Sequence, residues 1–208
     1  MSAPLPPEAW VQHPAWGDLG ALARRWRQAT PFPHMVLDDL LGSDDLDALL
    51  AVVDDEAVER YQADLYEFEA TTPEPATAAL RALRDGFAAA LVPRLARIAD
   101  VAITRADLRA YAYRPGHYLL PHTDHQAALD RRLAYAYYLP SPDPPTGGEL
   151  ELFACRHADD ALVDIVSARR IAPRANRLVV FAVSDASLHR VHEVTDGLRL
   201  SLAGWFYP

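Results

Sequence analysis

A His-x-Asp motif and a distant histidine give the strongest chemical signal in this chain. His122 and Asp124 are two residues apart, and on an extended strand such residues project to the same side, so both can bind one ion. A third ligand must come from elsewhere, and His189 is the best candidate. Two neutral imidazoles and one carboxylate, with the other octahedral positions open, form a ligand set that suits non-haem Fe(II) and dioxygen. The pattern therefore indicates an oxygenase.

The other histidines compete for this assignment to different degrees. His125 follows the motif at an odd offset, which points it to the other face of a strand, and His117 precedes the strand in a predicted loop. His189 and His192 are three residues apart, so only one of them can face inward on a strand. Spacing alone leaves either of these two as the third ligand.

Length, composition and charge limit the classes of function. With 208 residues, half of them hydrophobic, residues 1–208 are predicted to form a single domain. The 20 basic residues, all of them arginine, stand against 29 acidic ones and give a formal net charge of −9. This balance disfavours nucleic acid and anionic membranes as partners, since both require clustered positive charge. Small molecules or basic-to-neutral peptides are the expected partners, and the oligomeric state stays open.

The cellular compartment is predicted from cysteine content and from the absence of apolar runs. Cys155 is the single cysteine, which rules out an internal disulfide or a thiolate-rich metal site and fits a reducing interior. Met1 to Trp10 contain three prolines and do not resemble a secretory signal. No stretch approaches the ~18 apolar residues of a membrane span. We expect a cytoplasmic protein.

The order of predicted elements indicates an α+β fold that is mainly β. Residues 1–100 are predicted to form a helix-rich support region, with helices at Asp18–Gln28, after an N-cap at Ser43, and after Pro73 and Pro75, and with one short strand at His34–Asp38. Residues 101–208 form the catalytic core, in which Pro140–Gly148 is a loop. Its seven predicted strands are Leu108–Tyr113, Tyr118–His122, Leu133–Leu139, Glu149–Phe153, Ile165–Ile171, Arg177–Val183 and Leu198–Phe206. Many short strands predict a sandwich or barrel with helices covering one sheet.

Several segments together resemble the 2-oxoglutarate- and Fe(II)-dependent dioxygenases, in particular the branch that contains the prolyl hydroxylases. Individually most of the segments are weak signals, but they follow one another in the order of that family. The segments are Thr30–Asp38, Tyr111–Tyr118, His122–Asp124, Arg132–Pro140, Gly147–Phe153, Asn176–Phe181, Ser187–Val191 and Gly197–Phe206. The resemblance implies a double-stranded β-helix (jelly roll) with the N-terminal helices packed on its major sheet.

The resemblance also implies the site residues. In relatives the third metal ligand stands in a Ser-x-His-x-Val context ten residues before an arginine, which selects His189 over His192 and identifies Arg199 as the residue that binds the distal carboxylate of 2-oxoglutarate. The planar, always charged guanidinium suits that role. Metal ligands and catalytic residues are then His122, Asp124 and His189.

Three further residues are expected to contact the cosubstrate. Tyr137 lies in the strand after the metal motif, where relatives place a tyrosine whose hydroxyl reaches the 2-oxoglutarate carboxylate, and Tyr113 lies in the strand before it. Ser201 is two residues beyond Arg199 and on the same face, so its hydroxyl can donate to the same carboxylate.

The function implied by the resemblance is hydroxylation of an unactivated carbon, with a prolyl residue of a peptide or protein as the first choice of substrate. The cofactors would be Fe(II), 2-oxoglutarate and dioxygen, with ascorbate as a candidate reductant. A free amino acid or small natural product is the alternative substrate. A non-enzymatic jelly-roll module that binds metal is the alternative of another class.

A peptide substrate would require an open groove at the mouth of the pocket. Two segments are expected to line it as flexible loops, the aromatic and acidic Tyr61–Thr72 and the proline-rich Pro140–Gly148. Their acidic side chains would favour a basic or neutral peptide.

Overall fold

The computed structural model describes residues 5–158 and 161–208. Within these residues three α-helices precede most of the strands, namely α1 (Leu19–Gln28), α2 (Ser43–Asp54) and α3 (Ala78–Ala99). Two short 3-10 helices, Pro7–Val11 and Pro14–Gly17, lie before α1. No helix in these ranges is both long and apolar enough to cross a membrane.

The strands begin well before residue 101. In chain order they are β1 (His34–Leu37), β2 (Glu59–Ala63), β3 (Tyr66–Ala70), β4 (Arg105–Ala106), β5 (Arg109–Tyr113), β6 (Tyr118–His122), β7 (Leu133–Tyr138), β8 (Thr146–Gly147), β9 (Leu150–Ala158), β10 (Ala161–Ile171), β11 (Arg177–Ala182), β12 (His189–Val191), β13 (Val194–Asp196) and β14 (Arg199–Tyr207). Each of the seven strands predicted after residue 101 has a counterpart. The first hundred residues supply three strands to the sheet. Of these, β1 was predicted at His34–Asp38, whereas β2 and β3 were not predicted.

The large sheet is antiparallel and curls on itself. Its strands are hydrogen-bonded in the order β1-β11-β7-β14-β5-β3-β6-β12-β9-β10, while β2 pairs with β3, β4 with β14, and β8 with β13. Strands β7 and β11 lie near one end of this order and β9 lies near the other. Tyr138 and Phe181 of the first two strands nevertheless share a core with Leu150 and Leu152 of β9. The two ends of the sheet therefore face each other and enclose a space between them.

A second core lies on the outer face of one half of the sheet, beneath the helices. Phe87 of α3 packs 4.7 Å from the Tyr135 ring of β7, and Trp10 packs 5.2 Å from the Tyr137 ring, measured between ring centroids. Burying each such side chain contributes about 1.5–3 kcal/mol. The helices thus cover the outer face of β7, as expected, and give the site strands a rigid backing.

The helix ends show which capping signals were correct. Thr77 caps α3 by accepting a hydrogen bond from the Leu80 amide at 3.1 Å. Helix α2 begins at Ser43 itself, with Gly42 in the N-cap position, because the Ser43 hydroxyl bonds to the Asp44 carboxylate rather than to the backbone. The cap predicted at Ser43 is therefore displaced by one residue.

The segment predicted as a flexible groove loop forms a β-hairpin instead. Strand β2 pairs with β3 along its whole length, and β3 pairs with β5 at Ala70↔Tyr111 and with β6 at Tyr66↔Leu119. Backbone hydrogen bonds thus join β3 to β2 and also to β5 and β6, the two strands that follow one another in the chain. The hairpin is therefore part of the sheet.

Candidate metal centre and cosubstrate pocket

The structure brings His122, Asp124 and His189 together. Their ligand atoms lie within 4.8 Å of one another, with His122 Nε2 3.6 Å from Asp124 Oδ1 and His189 Nε2 3.5 Å from Asp124 Oδ2. His122 ends β6 and is paired across the sheet with His189 of β12, while Asp124 follows β6 and is buried. Sheet pairing therefore sets the spacing of the two imidazoles.

Backbone carbonyls orient both imidazoles. Nδ1 of His122 donates to the Leu120 carbonyl at 2.9 Å, and Nδ1 of His189 donates to the Ser187 carbonyl at 2.9 Å. Because a carbonyl only accepts, these bonds place the proton on Nδ1 and leave each Nε2 lone pair facing Asp124. This arrangement at both rings is what a metal ligand requires.

The protonation states also suit a divalent cation. Burial lowers the pKa of His189 to about 4, so this ring is neutral at pH 7. Burial opposes ionisation of Asp124, but the neighbouring His122 and His189 side chains outweigh burial and lower the pKa of Asp124 to about 2. Burial acts against protonation of His122 as well, yet the adjacent carboxylate raises its pKa. An ionised carboxylate beside imidazole lone pairs fits Fe(II).

His192 lies on the other side of the strand, where a buried carboxylate holds β12 in place. Glu151 is only 1% exposed and receives hydrogen bonds from Arg190 Nε at 2.6 Å and His192 Nε2 at 2.9 Å. Ser167 and Arg170 of β10 bind the same carboxylate. His192 therefore serves the scaffold, and His189 alone of the two faces the metal position.

Arg199 lies in the same enclosed space and lacks a protein counterion. It is 4% exposed, and within the described residues no carboxylate forms an ion pair with it. Its Nη1 donates to Ser201 Oγ at 3.3 Å, whereas the buried Nε has no partner. Its Cζ lies 4.8 and 4.9 Å from the ring centroids of Tyr113 and Tyr138. Because a buried charge is costly unless it is paired, this guanidinium requires an anionic ligand.

Gly148 makes room for that arginine. A β-carbon at Gly148 would lie 2.8 Å from Arg199 Cδ and 3.0 Å from Val194 Cγ2, and its φ of +70° also favours glycine. The sequence suggests only a turn at this position. The structure shows that the glycine also permits the backbone to approach Arg199 closely.

The structure differs from the sequence-based expectation at Tyr137. Its hydroxyl donates to Asn176 Oδ1 at 2.7 Å beneath the helices, outside the space that contains Arg199. Tyr138 points the other way, and its buried hydroxyl has no partner within the described residues. Tyr113 and Ser201 do lie beside Arg199, as expected. Tyr138 is therefore the tyrosine of β7 that lies beside Arg199.

This placement predicts opposite phenotypes for two adjacent tyrosines. Tyr138→Phe should weaken 2-oxoglutarate binding by about 0.5–1.5 kcal/mol, or up to ~3 kcal/mol because the acceptor is charged. Tyr137→Phe should leave that binding unchanged and lower the free energy of unfolding, since it removes a hydrogen bond inside the core. Calorimetric titration of both variants checks this, and a loss of affinity confined to Tyr137→Phe would contradict it.

A cavity of about 280 Å³ joins the metal ligands to Arg199 and opens to the surface. Tyr66 and Phe68 of β3 form one wall with Tyr111 and Tyr113 of β5, and the Phe68 ring lies 5.1–5.6 Å from the other three rings. The predicted contribution of Pro140–Gly148 is absent from the described lining of the cavity. That loop instead pairs through β8 with β13.

Arg131 is a lining residue that sequence reasoning missed. Its guanidinium stacks on the Trp205 indole, with Cζ 3.5 Å from the ring centroid, and Nη1 lies 3.9 Å from Asp124 Oδ1. In the sequence it is one of two arginines after a polar loop, so no local signal distinguishes it from a solvated residue. The structure places a cation and an aromatic surface beside the metal position.

The comparisons with known proteins agree with this geometry. The family model described as the 2OG-Fe(II) oxygenase superfamily matches residues 108–207. The prolyl 3-hydroxylase OGFOD1 of Mus musculus is 34% identical over 85% of this chain, and the prolyl 3-hydroxylase sudestada1 of Drosophila melanogaster is 29% identical over 96%. The chain spans 33% and 39% of the length of these two relatives, respectively.

Solved structures support the fold. A Pseudomonas putida prolyl-4-hydroxylase has a TM-score of 0.69 at 22% identity, covering 91% of this chain and 98% of that one. A Trichoplax adhaerens prolyl hydroxylase in complex with a hypoxia-inducible-factor peptide has a TM-score of 0.67 at 17% identity, covering 96% and 95%. These likenesses confirm the predicted double-stranded β-helix with its helices.

The predicted class of enzyme and its cofactors agree with the family match. A dioxygenase that uses Fe(II), 2-oxoglutarate and dioxygen is the class that the family model describes, and the cluster of His122, Asp124 and His189 fits its metal. The non-enzymatic alternative is not favoured. The chain thus matches the 2OG-Fe(II) oxygenase superfamily through residues 108–207 and is similar to the two prolyl 3-hydroxylases.

Proposed function

We propose that this chain is a 2-oxoglutarate- and Fe(II)-dependent prolyl hydroxylase that acts on a peptide or protein. The observation that carries the proposal is that the complete ligand triad and the unpaired, buried Arg199 share one cavity. The curated relatives, which are prolyl 3-hydroxylases, and the solved neighbour with a bound peptide support the substrate class.

His122, Asp124 and His189 would hold the metal through two Nε2 atoms and one carboxylate. A metal held there would supply, together with 2-oxoglutarate and dioxygen, the oxidising chemistry for hydroxylation of an unactivated carbon. The protein supplies geometry. Arg199 would bind the distal carboxylate of 2-oxoglutarate, with the Ser201 hydroxyl 3.3 Å from its Nη1 and the Tyr138 ring centroid 4.9 Å from its Cζ.

The aromatic wall would exclude water around the reacting carbon and receive the substrate side chain. Tyr66 and Phe68 come from β3, whose hairpin with β2 lies at the edge of the cavity. A volume of about 280 Å³ lies at the lower end of small-molecule sites. It suits the cosubstrate together with one side chain, so that a peptide backbone would remain at the surface.

Charge at this hairpin gives little preference between peptides. Glu67 is paired with Arg60, and Glu69 is paired with Arg114 at 3.0 Å. Two of the three acidic residues of the segment are thus paired with arginines, which weakens the electrostatic reason for expecting a basic rather than a neutral peptide. Selectivity for proline would then come from shape and from the aromatic rings.

Incubation with Fe(II), 2-oxoglutarate and ascorbate tests the substrate class. We expect succinate formation coupled to the gain of one oxygen atom on a peptide from a proline-containing library, and no gain on the same peptide with proline replaced by alanine. His189→Ala is the inactive control. If free proline or another small molecule supports coupled turnover and no peptide does, the peptide proposal is wrong and the small-molecule alternative is favoured.

A further inference from the structure

Strand β10 ends the hydrogen-bonding order of the large sheet and is exposed on both faces. Within the described residues it pairs with β9 alone, so its outer backbone edge faces solvent. Residues 162–170 are all exposed. Edge strands of soluble proteins are commonly protected by charged side chains, proline or bulges. Strand β10 contains no proline, and its charged residues Asp164, Arg169 and Arg170 flank an apolar stretch at Ile165 and Val166.

The exposed residues of β10 are strongly apolar. Leu162, Val163, Ile165 and Val166 are 46%, 47%, 48% and 54% exposed. Val166 pairs with Ala154 and Ile165 with Cys155, and adjacent residues of a strand face opposite sides. Apolar residues on both faces are typical of a strand that is covered on both sides. Strand β10 therefore combines exposed apolar side chains on both faces with charged ones at Asp164, Arg169 and Arg170.

The charges on β10 are complementary to those of a second copy running in the opposite direction. Asp164 reaches only Arg156, at 3.9 Å, and Arg169 donates to His34 Nε2 but has no carboxylate partner within the described residues. The register with β9 shifts between Ser167 and Arg169, which makes Ala168 a bulge. If the bulged Ala168 is left out of the count, Asp164 lies two positions before Val166 and Arg169 lies two positions after it. The three side chains therefore lie on the same face of the strand.

We propose that the edge of β10 is a self-association surface on which two copies of this chain pair as antiparallel strands. A twofold axis at Val166 places each Asp164 opposite the partner's Arg169 and brings the two Val166 side chains together. Such a contact is isologous and closed. A single pair of strands buries less than the roughly 1,200–2,000 Å² of stable interfaces, so we expect a dimer whose population rises with protein concentration.

Sedimentation velocity across the micromolar range tests the pairing. The unmodified protein should shift from monomer toward dimer as its concentration rises. Val166→Lys should abolish the shift, because it places like charges directly opposite each other on the axis. Val58→Lys, at a 43% exposed valine outside β10, is the matched control and should dimerise normally.

A charge swap tests the register. Asp164→Arg should weaken the dimer by opposing two arginines, and Asp164→Arg combined with Arg169→Asp should restore it. None of the described residues lining the cavity comes from β10, so 2-oxoglutarate turnover should be unchanged in Val166→Lys and confirm that it is folded. A protein that stays monomeric at every concentration, or a dimer that survives Val166→Lys, would overturn the proposal.

Discussion

Replacing Arg199 with alanine is expected to raise the 2-oxoglutarate concentration needed for half-saturation by at least about a hundredfold. The cosubstrate carboxylate would be left in a buried site without its cation, and removing one partner of a buried charged pair costs roughly 3–5 kcal/mol. Each 1.4 kcal/mol corresponds to about a tenfold change in affinity. Titration of succinate formation against 2-oxoglutarate measures the effect.

Two controls separate loss of the anchor from loss of the fold. Metal binding should persist in Arg199→Ala, since the guanidinium is not among the metal ligands. Arg199→Lys should recover part of the affinity, because lysine restores the charge but not the planar fork of donors. An unchanged 2-oxoglutarate dependence in Arg199→Ala would show that another residue binds the cosubstrate.

Replacing His189 with alanine is expected to abolish tight metal binding. Mutating groups that only support a ligand typically costs 10–100-fold in affinity, so loss of a direct ligand should exceed about a hundredfold. His189 is also the fully enclosed imidazole of the pair, with Nε2 directed at Asp124. Equilibrium titration with Fe(II) under anaerobic conditions, or with Mn(II), gives the two affinities.

His192→Ala is the matched control three residues away. It removes one hydrogen bond to Glu151, which keeps its bonds from Arg190, Arg170 and Ser167. We expect metal affinity to be retained and the free energy of unfolding to fall by about 0.5–1.5 kcal/mol. Metal loss in His192→Ala with normal binding in His189→Ala would reverse the assignment.

The alternation of side chains along a strand predicted which residues face the cavity wherever the two faces of the strand differ in chemical character. In β14, Arg199 and Ser201 point into the cavity while Leu202 and Phe206 pack beneath the helices. Strand β7 is buried along its entire length, so its sequence of tyrosines and alanines does not reveal which face meets the cosubstrate. The choice of Tyr137 over Tyr138 failed for this reason.

The hairpin of β2 and β3 was missed because its stability is not local. Its residues are half polar, and Tyr66, Phe68 and Ala70 do alternate with glutamates as in a half-buried strand, but its turn at Asp64 and Leu65 lacks the Asn-Gly or Asp-Gly signal of short hairpins. Pairing of β3 with β5 and β6 holds it in place, and those partners are distant in the sequence. Arg131 was overlooked for a related reason, since its stacking partner Trp205 lies 74 positions further along the chain.

The visible absorption of the protein with Fe(II) and 2-oxoglutarate under anaerobic conditions tests the central claim directly, because it needs no knowledge of the substrate. Chelation of Fe(II) by the keto acid end of 2-oxoglutarate produces a charge-transfer band. We expect this band to saturate with one equivalent of Fe(II), to be absent in His189→Ala, and to require far more 2-oxoglutarate in Arg199→Ala. A protein that shows no band at any concentration, or an unchanged band in both variants, would contradict the account.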